Sequence, residues 1–503
     1  MSTELLQSIA DSNLWWAIGP EMTLACAALG LLVIEITTPK ESHRFIPHVA
    51  VFSLAIVLAA VIGSFDKTFG EEPLFGGLIR LSSFGQVARV FFLLGSLLVC
   101  FLGTICLPRT RMPRVEFYHI VLVVTAALML LAQSNHFVMF FVTLETVTIG
   151  FYILVSYFRD NALTLEAGLK YLVTGALSSA IMLFGIVLLY GAVGRVEFDG
   201  IVHTGFEFET VAAFLQQHPD SFLGIAGALL VISGVGFKIG AFPFQIWIPD
   251  VYQGAPTPVT AFLAVSSKAA GFAILLILVR EVFAPLAYVI APALSVLAAA
   301  TILMGNLSAL SQRNAKRLMG LSGVSHAGYL LIGVVASLTV PSAVTAIWFY
   351  LFTYLLASMA VFGVMAYVAG DDDTAQELDS YDKLARERPV LGAVLAVGVG
   401  SLAGIPPLAG FMGKLLIFVS AYQAQLYWLL GVAIVGVVLS IYYYFGWIKA
   451  AFFETWSPNT AVVPVRPAPP ATPLVGRLVL VVLALATVML GLYQAPLASW
   501  LVP

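Results

Sequence analysis

Long apolar runs separated by short polar connections cover almost the whole chain. Many of these runs reach 18 residues or more, the length at which an apolar stretch predicts a transmembrane helix. They are continuous rather than alternating, so they indicate helices and not the strands of a barrel. We therefore predict an all-α polytopic membrane protein with about 14 spans, at roughly 14–36, 47–64, 86–107, 115–132, 136–158, 165–191, 222–249, 257–279, 285–309, 317–337, 342–369, 389–425, 427–453 and 475–497.

Two of the predicted spans carry signals of a broken helix. Span 12 is too long for one crossing of about 20 residues. Its middle, VGSLAGIPPLAGFMGK, is rich in glycine and proline. Span 7 ends in GVGFKIGAFP, where a lysine is followed by glycine and proline. Both stretches predict freed backbone groups that must line protein or water.

The positions of the two breaks hint at an internal repeat. Spans 4–8 and spans 9–13 have similar lengths, and each set has a broken helix with a lysine beside the break, Lys238 or Lys414. A unit of five spans is odd, so the second unit would be inverted relative to the first, an arrangement typical of ion pathways. This divides the chain into three N-terminal spans (1–112), a first five-helix unit (113–283), a second, inverted unit (284–454), and a Pro-rich loop with the last span (455–503).

Basic residues are distributed unevenly between the loops. Loops after even-numbered spans hold only Lys67, Arg80, Arg195 and Arg280. Loops after odd-numbered spans hold many more: Lys40, Arg44, Arg109, Arg111, Arg114, Arg159, Arg313, Lys316, Arg317, Lys383, Arg386, Arg388, Arg466 and Arg477. Because positive charge accumulates in cytoplasmic loops, the odd loops are predicted to be cytoplasmic and both termini external.

Composition and motifs exclude several classes of function. The chain is 60% hydrophobic and 10% charged, with a net charge of −3, and it has no basic patch for nucleic acid. Its three cysteines form no CxxC pair, so neither a disulfide framework nor an iron–sulfur site is supported. Nucleotide-binding glycine motifs are absent from the sequence. We expect no cofactor in this chain, and energy for uphill transport would come from a partner or another ion gradient.

Among the ionisable residues within the predicted spans, six are the candidates for chemistry. A charge at the bilayer centre costs about 2.5–3.5 kcal/mol on insertion scales, so such residues mark ion pathways or ion pairs. Lysine suits a proton pathway because its protonation state responds readily to burial. The candidates are Glu145, Lys170, Lys238, Lys268, His326 and Lys414.

Each candidate also has a structural interpretation. Glu145 and Lys238 are the best available counter-charges for each other, and the pair could titrate or simply lock two helices. Lys170 follows Glu166 by four residues, the spacing of an ordinary helix-surface pair. His326 could be a hydrogen-bonded core histidine or part of a relay. Lys268 lies in the middle of its span, from which a side chain reaches the interface less easily, and Lys414 has no obvious acidic partner. Both observations favour a functional role.

Three stretches resemble the antiporter-like membrane subunits of complex I, the proton-pumping NADH:quinone oxidoreductase. They are KIGAFPFQIWIPDVYQGAPTPVTAFLAVSSKAAGFAILL (238–277), LSQRNAKRLMGLSGVSHAGYLLIG (310–333) and LAGIPPLAGFMGKLLIF (402–418). The run EAGLKYLVTGALSSAIMLFGIVLLYG (166–191) looks most like the N-type subunits of the bacterial enzyme. The resemblance covers nearly the whole chain, with motifs in the same order.

The resemblance implies a fold of 14 helices with an inverted five-helix repeat and a proton path along the membrane. It matches Glu145 to the family's span-5 glutamate, Lys238 to its paired span-7 lysine, Lys268 to the central lysine and Lys414 to the group near the exit. Lys170 matches a span-6 lysine of the N-type subunits. One departure is Gln245, which stands where the family often has histidine and cannot titrate.

From the residues and the resemblance together we predict a proton-translocating, non-redox subunit of NADH:quinone oxidoreductase in the bacterial inner membrane. Its partners would be neighbouring antiporter-like and small membrane subunits and the lipid bilayer. FMN, iron–sulfur clusters and quinone are expected in partner subunits. Two alternatives stay open: a subunit of a multi-subunit cation/proton antiporter, and a structural spacer in a larger complex.

Overall fold

The computed structural model of the protein describes residues 10, 12–39, 43, 45–65, 72–109, 115–198, 201–369, 373–374, 376–453 and 473–501, without the side chains of 109, 195–198 and 201–203. Some predictions fall outside these residues. They concern most of the Pro-rich connection 455–474 and the basic residues Lys40, Arg44, Lys67, Arg111, Arg114 and Arg466.

The described part of the chain is built almost entirely from helices, which confirms the predicted fold class. The spans, numbered as in the prediction, are Gly19–Thr37, Ile46–Gly63, Ser83–Cys106, Val115–Leu131, Phe137–Val155, Ala162–Val193, Phe222–Ile239 with Ile248–Gly254, Thr257–Val282, Ala287–Leu310, Ala315–Ala336, Ala343–Val368, Pro389–Ala403 with Ala409–Gln423, Tyr427–Phe452 and Leu474–Leu492.

Twelve of these helices are long and apolar enough to cross a membrane by themselves. The 17-residue helix Val115–Leu131 and the broken span 12, with two halves of 15 residues each, bring the total to 14. The observed ends lie within a few residues of the predicted ones, as expected where each apolar run must satisfy its own backbone in hydrocarbon.

Spans 8 and 10 lie at the centre of the bundle. In its most apolar stretch span 10 is 100% buried and span 8 is 94% buried, whereas span 1 is 28% and span 14 is 22% buried. Glycines let some of these helices approach closely. A Cβ on Gly185 of span 6 would lie 2.8 Å from the backbone oxygen of Gly227 in span 7. Such small-residue contacts are typical of helix packing in membranes.

Loops after even-numbered spans contact one another on one face of the bundle. Arg80 donates its backbone N–H to Gln133, joining the loop after span 2 to that after span 4. Phe137 donates to Phe206 in the loop after span 6, and Tyr288, after span 8, donates to Pro219. Both terminal regions reach the same face, where Ser12 accepts from Gly76 and Trp500 packs on Phe65.

Loops after odd-numbered spans contact one another on the opposite face. Thr164, after span 5, donates to the carbonyl of Gly254 after span 7. Lys316, after span 9, donates to Ala255 and to Asp373, which follows span 11. The two sets of loops therefore lie on opposite faces, which agrees with an even number of spans.

Span 7 is broken immediately after Lys238. Its first helix ends at Ile239, and Gly240 adopts a left-handed conformation with a φ of 72°. Ala241 donates back to Gly236, which closes the helix end in a Schellman motif. The chain then passes through the turn Phe244–Trp247, which contains Gln245, and resumes as Ile248–Gly254.

Span 12 is broken in the same way at the predicted place. The first half ends at Ala403, and Gly404 has a φ of 84°. Ile405 donates back to Gly400, and the second half begins at Ala409. The two halves approach so closely that a Cβ on Gly410 would lie 1.9 Å from the carbonyl oxygen of Ser401. Glycine is therefore required at position 410.

Two features of the fold were not predicted. A small antiparallel hairpin, Arg195–Phe198 with Ile201–Thr204, precedes an extramembrane helix, Phe208–Gln217, between spans 6 and 7. Span 8 contains two π-helical turns, Leu263–Ser267 and Leu278–Val282. The first turn ends at the residue before Lys268. π-Helical turns inside α-helices occur frequently at functional sites.

Candidate functional site

Lys238 and Glu145 lie near each other but bind different partners. The Nζ of Lys238, on buried span 7, donates to the Thr148 hydroxyl on span 5. Glu145, one helical turn before Thr148, is half-buried and accepts from the Ser179 hydroxyl at 2.6 Å. Thr148 Oγ1 also donates to the carbonyl of Leu144 at 2.6 Å. The threonine thus fixes the lysine beside the turn that carries the glutamate.

The predicted direct ion pair between Glu145 and Lys238 is not formed in this structure. Nζ and the carboxylate do not come within 4.0 Å, and each group has a hydroxyl partner instead. The reason is the hydroxyl side chains in spans 5 and 6, which satisfy both groups separately. Lys238 nonetheless binds Thr148, one helical turn after Glu145.

Lys268 is buried at the centre of the bundle without a carboxylate partner. Its Nζ donates to the carbonyl oxygen of Gly323 on span 10 at 2.5 Å and lies 5.3 Å from the centre of the Tyr354 ring. A Cβ on Gly323 would stand 2.8 Å from Nζ, so the glycine makes room for the ammonium group. Lys238 packs against span 8, the helix that carries Lys268. Its Cβ lies 3.5 Å from the point that a Cβ on Gly271, one turn after Lys268, would occupy.

His326 lies one turn after Gly323 and is buried among tyrosines. Its Nδ1 is 2.6 Å from the Tyr350 hydroxyl, and its Nε2 is 3.1 Å from the Tyr444 hydroxyl. Each ring nitrogen thus has a hydroxyl partner that can both donate and accept. The same contacts suit a satisfied core histidine and a proton carrier, so both interpretations of His326 stay open.

Lys414 connects the two halves of the broken span 12. It lies on the second half, and its Nζ donates to the carbonyl oxygens of Leu402 and Ala403 at 2.9 and 3.0 Å, where the first half ends. The last carbonyls of a helix lack partners within the helix and carry the negative end of its dipole. The break therefore provides a site for an ammonium group without any carboxylate.

A small cavity joins His326 to Lys414. Its volume is about 10 Å³, which is room for about one water molecule. It is lined mostly by groups that can donate or accept a hydrogen bond, His326, Tyr350, Thr353, Tyr354, Ser401 and Lys414. A single water here would have enough polar partners to be held and could exchange a proton with the imidazole and the ammonium group.

The candidates therefore form one buried series through the bundle. Lys238 binds Thr148, one turn after Glu145, and packs on the helix of Lys268. Lys268 donates to the turn before His326, and the cavity joins His326 to Lys414. Sequence reasoning named these residues but not what connects them. The connecting groups are hydroxyls, carbonyls and glycines, which have no charge to make them stand out among apolar residues.

Lys170 lies apart from this series. Its side chain is 41% exposed and donates at 2.6 Å both to Glu166 and to Asp250. Asp250 also accepts from Arg317 at 2.6 Å, so the three charges tie span 6, the second half of span 7 and span 10 together near the odd-loop face. The pair with Glu166 was expected, whereas the bond to Asp250 was not.

A second ionic cluster that sequence reasoning missed lies in spans 1 and 3 and the loop after span 4. Arg89 binds Glu21 at 2.8 and 2.9 Å, both side chains are 3% exposed, and Gln133 donates to Glu21 at 3.0 Å. Both carboxylate oxygens of Glu21 and the Nε and Nη2 of Arg89 have partners within the cluster. Among the described residues no group of three or more His, Cys, Asp or Glu side chains is placed to hold a metal ion.

A protein-family model described as "NADH:quinone oxidoreductase/Mrp antiporter, TM" matches residues 134–440. This range contains all six candidate residues. The NADH-quinone oxidoreductase subunit N 1 of Opitutus terrae is 58% identical to the chain, over 100% of this chain and 99% of that protein.

Two solved structures have the same architecture. A chain of respiratory complex I from Thermus thermophilus is 32% identical with a TM-score of 0.77, covering 95% of this chain and 98% of that one. A chain of the Mrp complex from a Dietzia species also has a TM-score of 0.77, at 20% identity, covering 97% of this chain and 96% of that one. The latter likeness shows the fold alone.

Proposed function

Because the chain belongs to the transmembrane family shared by NADH:quinone oxidoreductases and Mrp antiporters, we infer that it is a proton-translocating membrane subunit, of the N type, in an NADH-quinone oxidoreductase. Full-length identity of 58% to an N-type subunit supports this assignment over the antiporter alternative, for which the supporting structure is 20% identical.

The observation that carries the mechanism is the buried series from Glu145 to Lys414. Among the described residues, Nζ of Lys268 and Nζ of Lys414 hydrogen-bond to carbonyl oxygens and not to a carboxylate that would fix them in the charged state. We propose that a proton moves between Lys268 and Lys414 through His326 and the water-sized cavity. Lysine fits this role because its protonation state responds readily to burial.

Glu145 and Lys238 would regulate the affinity of Lys268 for a proton. In the observed arrangement Thr148 and Ser179 hold the two groups apart. A change in a partner subunit could bring Glu145 and Lys238 into direct contact. The electrostatic field at Lys268 on the adjacent helix would then change, and with it the affinity of Lys268 for a proton. Thr148 would then act as the residue that holds the open arrangement. Two states of one ion pair provide the bistable element that such coupling requires.

We propose that the driving redox chemistry lies in partner subunits, with FMN, iron–sulfur clusters and quinone bound there and none in this chain. The neighbours would be other antiporter-like and small membrane subunits. The face of spans 5 and 6 suits such a contact, because the half-buried Glu145 lies there among exposed apolar side chains such as Val142, Ile149 and Leu172.

The charge bias of the loops leads us to propose that the odd-loop face is cytoplasmic. Both termini would then lie on the periplasmic side of the bacterial inner membrane, because they share a face with the even loops. Lys414 would release its proton toward that side.

Affinity purification through a tag on this chain tests the proposed function. The expected result is co-elution of flavin and iron–sulfur proteins, and NADH-driven acidification of proteoliposomes containing the complex. Purification without redox subunits, together with cation/proton exchange that needs no NADH, would instead establish the antiporter alternative.

A further inference from the structure

Asp373, in the connection between spans 11 and 12, is the centre of a polar cluster outside the proton series. Its Oδ2 accepts from the backbone N–H of Thr257 at 2.7 Å and from Lys316 Nζ at 2.9 Å. Its Oδ1 accepts from the Thr257 hydroxyl at 2.7 Å and from Gln376 at 2.9 Å. Four donors therefore satisfy one carboxylate.

The cluster is almost closed to solvent. The Lys316 side chain is 0% exposed and that of Asp373 is 12% exposed. Lys316 also donates to the carbonyl of Ala255 at 2.7 Å, while Tyr381 donates to Gln376 at 2.7 Å. Burial raises the pKa of Tyr381 well above its usual range, so its hydroxyl stays a donor. Breaking such a buried ion pair leaves an uncompensated charge, which is strongly destabilising.

Three of the four donors to Asp373 belong to residues at the beginnings of two central helices. Thr257 is the first residue of span 8, and Lys316 is the second residue of span 10. A carboxylate is favourable at a helix N-terminus, where backbone N–H groups lack partners. Asp373 thus fixes the ends of spans 8 and 10 to each other.

The same two helices meet again where Lys268 donates to Gly323. Between Thr257 and Lys268 span 8 contains the π-helical turn Leu263–Ser267, which holds one residue more per turn than an α-helix. If that turn shifted to α-helical geometry, Lys268 would rotate away from Gly323. The anchored end of span 8 prevents the helix from sliding to make that change.

We propose that Asp373 is a positioning residue for proton transfer, which holds spans 8 and 10 in the register that places Lys268 Nζ on the Gly323 carbonyl. This inference rests on the proposed function of the chain as a proton-translocating subunit. Asp373 acts through Thr257 and Lys316 and does not itself carry the proton.

The test compares substitutions in the intact complex, reconstituted in proteoliposomes, by protons moved per NADH oxidised and normalised to assembled complex. The decrease in proton yield caused by Lys268→Met measures the share of pumping that depends on this chain. Asp373→Asn removes the charge with little change of shape and is expected to lose at least half of that share. Asp379→Asn is the matched control, because Asp379 is an exposed carboxylate in the same connection, and it is expected to pump normally.

Lys316→Met should lose pumping as Asp373→Asn does, and the double variant should lose no more than Lys316→Met alone, because both changes remove one interaction. If Asp373→Asn does not assemble, Thr257→Val decides the question. It removes only the two bonds of the Thr257 hydroxyl, which donates to Asp373 and accepts from Gln376, and it leaves the ion pair.

Normal proton yield per NADH in assembled Asp373→Asn complex, or in the Thr257→Val complex, would overturn the proposal. Additive losses in the double variant would also overturn it. If Lys268→Met itself pumped normally, the proposed function would fail instead, so the two failures can be told apart.

Discussion

Lys414 Nζ lies 2.9 Å from the carbonyl oxygen of Leu402, although the two residues belong to different halves of span 12. One side chain therefore occupies the helix end that the break opens. The break and the lysine form a single unit, because the carbonyls that the break frees are the partners of the ammonium group.

Replacing Lys414 tests whether the lysine at the break is needed for proton transfer. Lys414→Ala is expected to assemble, since no carboxylate is left unpaired, and to lose the pumping that depends on this chain. Lys414→Arg should not restore it, because arginine stays protonated and cannot release its proton. Proton yield per NADH in assembled complex is the measurement, with Lys449→Ala as control, since Lys449 is exposed at the end of span 13. Wild-type yield from Lys414→Ala would mean that the second break has a purely structural purpose.

Gly404→Ala tests the geometry of the break itself. Position 404 has a φ of 84°, and a Cβ there would lie 3.0 Å from Cδ of Lys414. A left-handed conformation disfavours alanine by about 1 kcal/mol, and the crowding would move the lysine from its carbonyls. We expect lower thermal stability of the complex and a lower proton yield. Gly446→Ala, at a helical site with nothing within 4 Å, should change neither, and equal effects of the two substitutions would contradict the argument.

Thr148→Val tests whether the Thr148 hydroxyl places Lys238. Valine keeps the shape of threonine but removes the acceptor of Lys238, and an unsatisfied buried donor costs about 1–3 kcal/mol. We expect proton transfer through this chain to slow about tenfold while assembly persists. The control is Thr146→Val, because the Thr146 hydroxyl bonds only to Val142 of its own helix. Equal proton yields from both variants would show that the Thr148 hydroxyl has no specific effect on proton transfer.

Glu21 and Arg89 are expected to contribute to stability and not to transport. Arg89→Leu leaves Glu21 buried without its cation, and breaking such a pair costs about 3–5 kcal/mol. The amount of assembled complex should fall, while the complex that does assemble should pump normally. The double change Glu21→Leu with Arg89→Leu should recover part of the loss, because it removes both charges. A lower proton yield per assembled complex would assign this cluster a role in transport.

Reporter fusions at positions 112, 200 and 385 test the orientation. Fusions at 112 and 385 lie after odd-numbered spans and should report the cytoplasm, whereas a fusion at 200 should report the periplasm. A cytoplasmic signal at 200 would reverse the direction of transport that we propose.

Much of this architecture could be predicted from the sequence because the bilayer constrains it so strongly. Each apolar run had to become a helix, and the glycines and prolines around Gly240 and Gly404 marked the two breaks. The hairpin Arg195–Phe198 with Ile201–Thr204 was missed although RVEFDGIVHT carries its signal, an Asp-Gly pair between two short β-prone runs. The prediction rested on long apolar runs, and this extramembrane segment has none. The π-helical turn before Lys268 was missed because helical periodicity over five residues does not distinguish it from an α-helix.

The site was predicted as a set of residues but not as a set of contacts. Charge in an apolar run was enough to single out Lys238 and Lys268. The expected bond from Lys238 to Glu145 was wrong, because a neighbouring threonine was the better-placed partner. Asp373 was not among the candidates, since nothing in the local sequence shows that a loop residue caps a helix more than 100 positions earlier.

The central claim is that protons cross this chain through Lys268. The direct measurement is the number of protons moved per NADH by the reconstituted complex with Lys268→Met, normalised to assembled complex, beside the wild type and Lys449→Ala. We predict that NADH oxidation by an artificial electron acceptor is unchanged in all three, and that only Lys268→Met gives a lower proton yield. A wild-type yield from Lys268→Met would contradict the account.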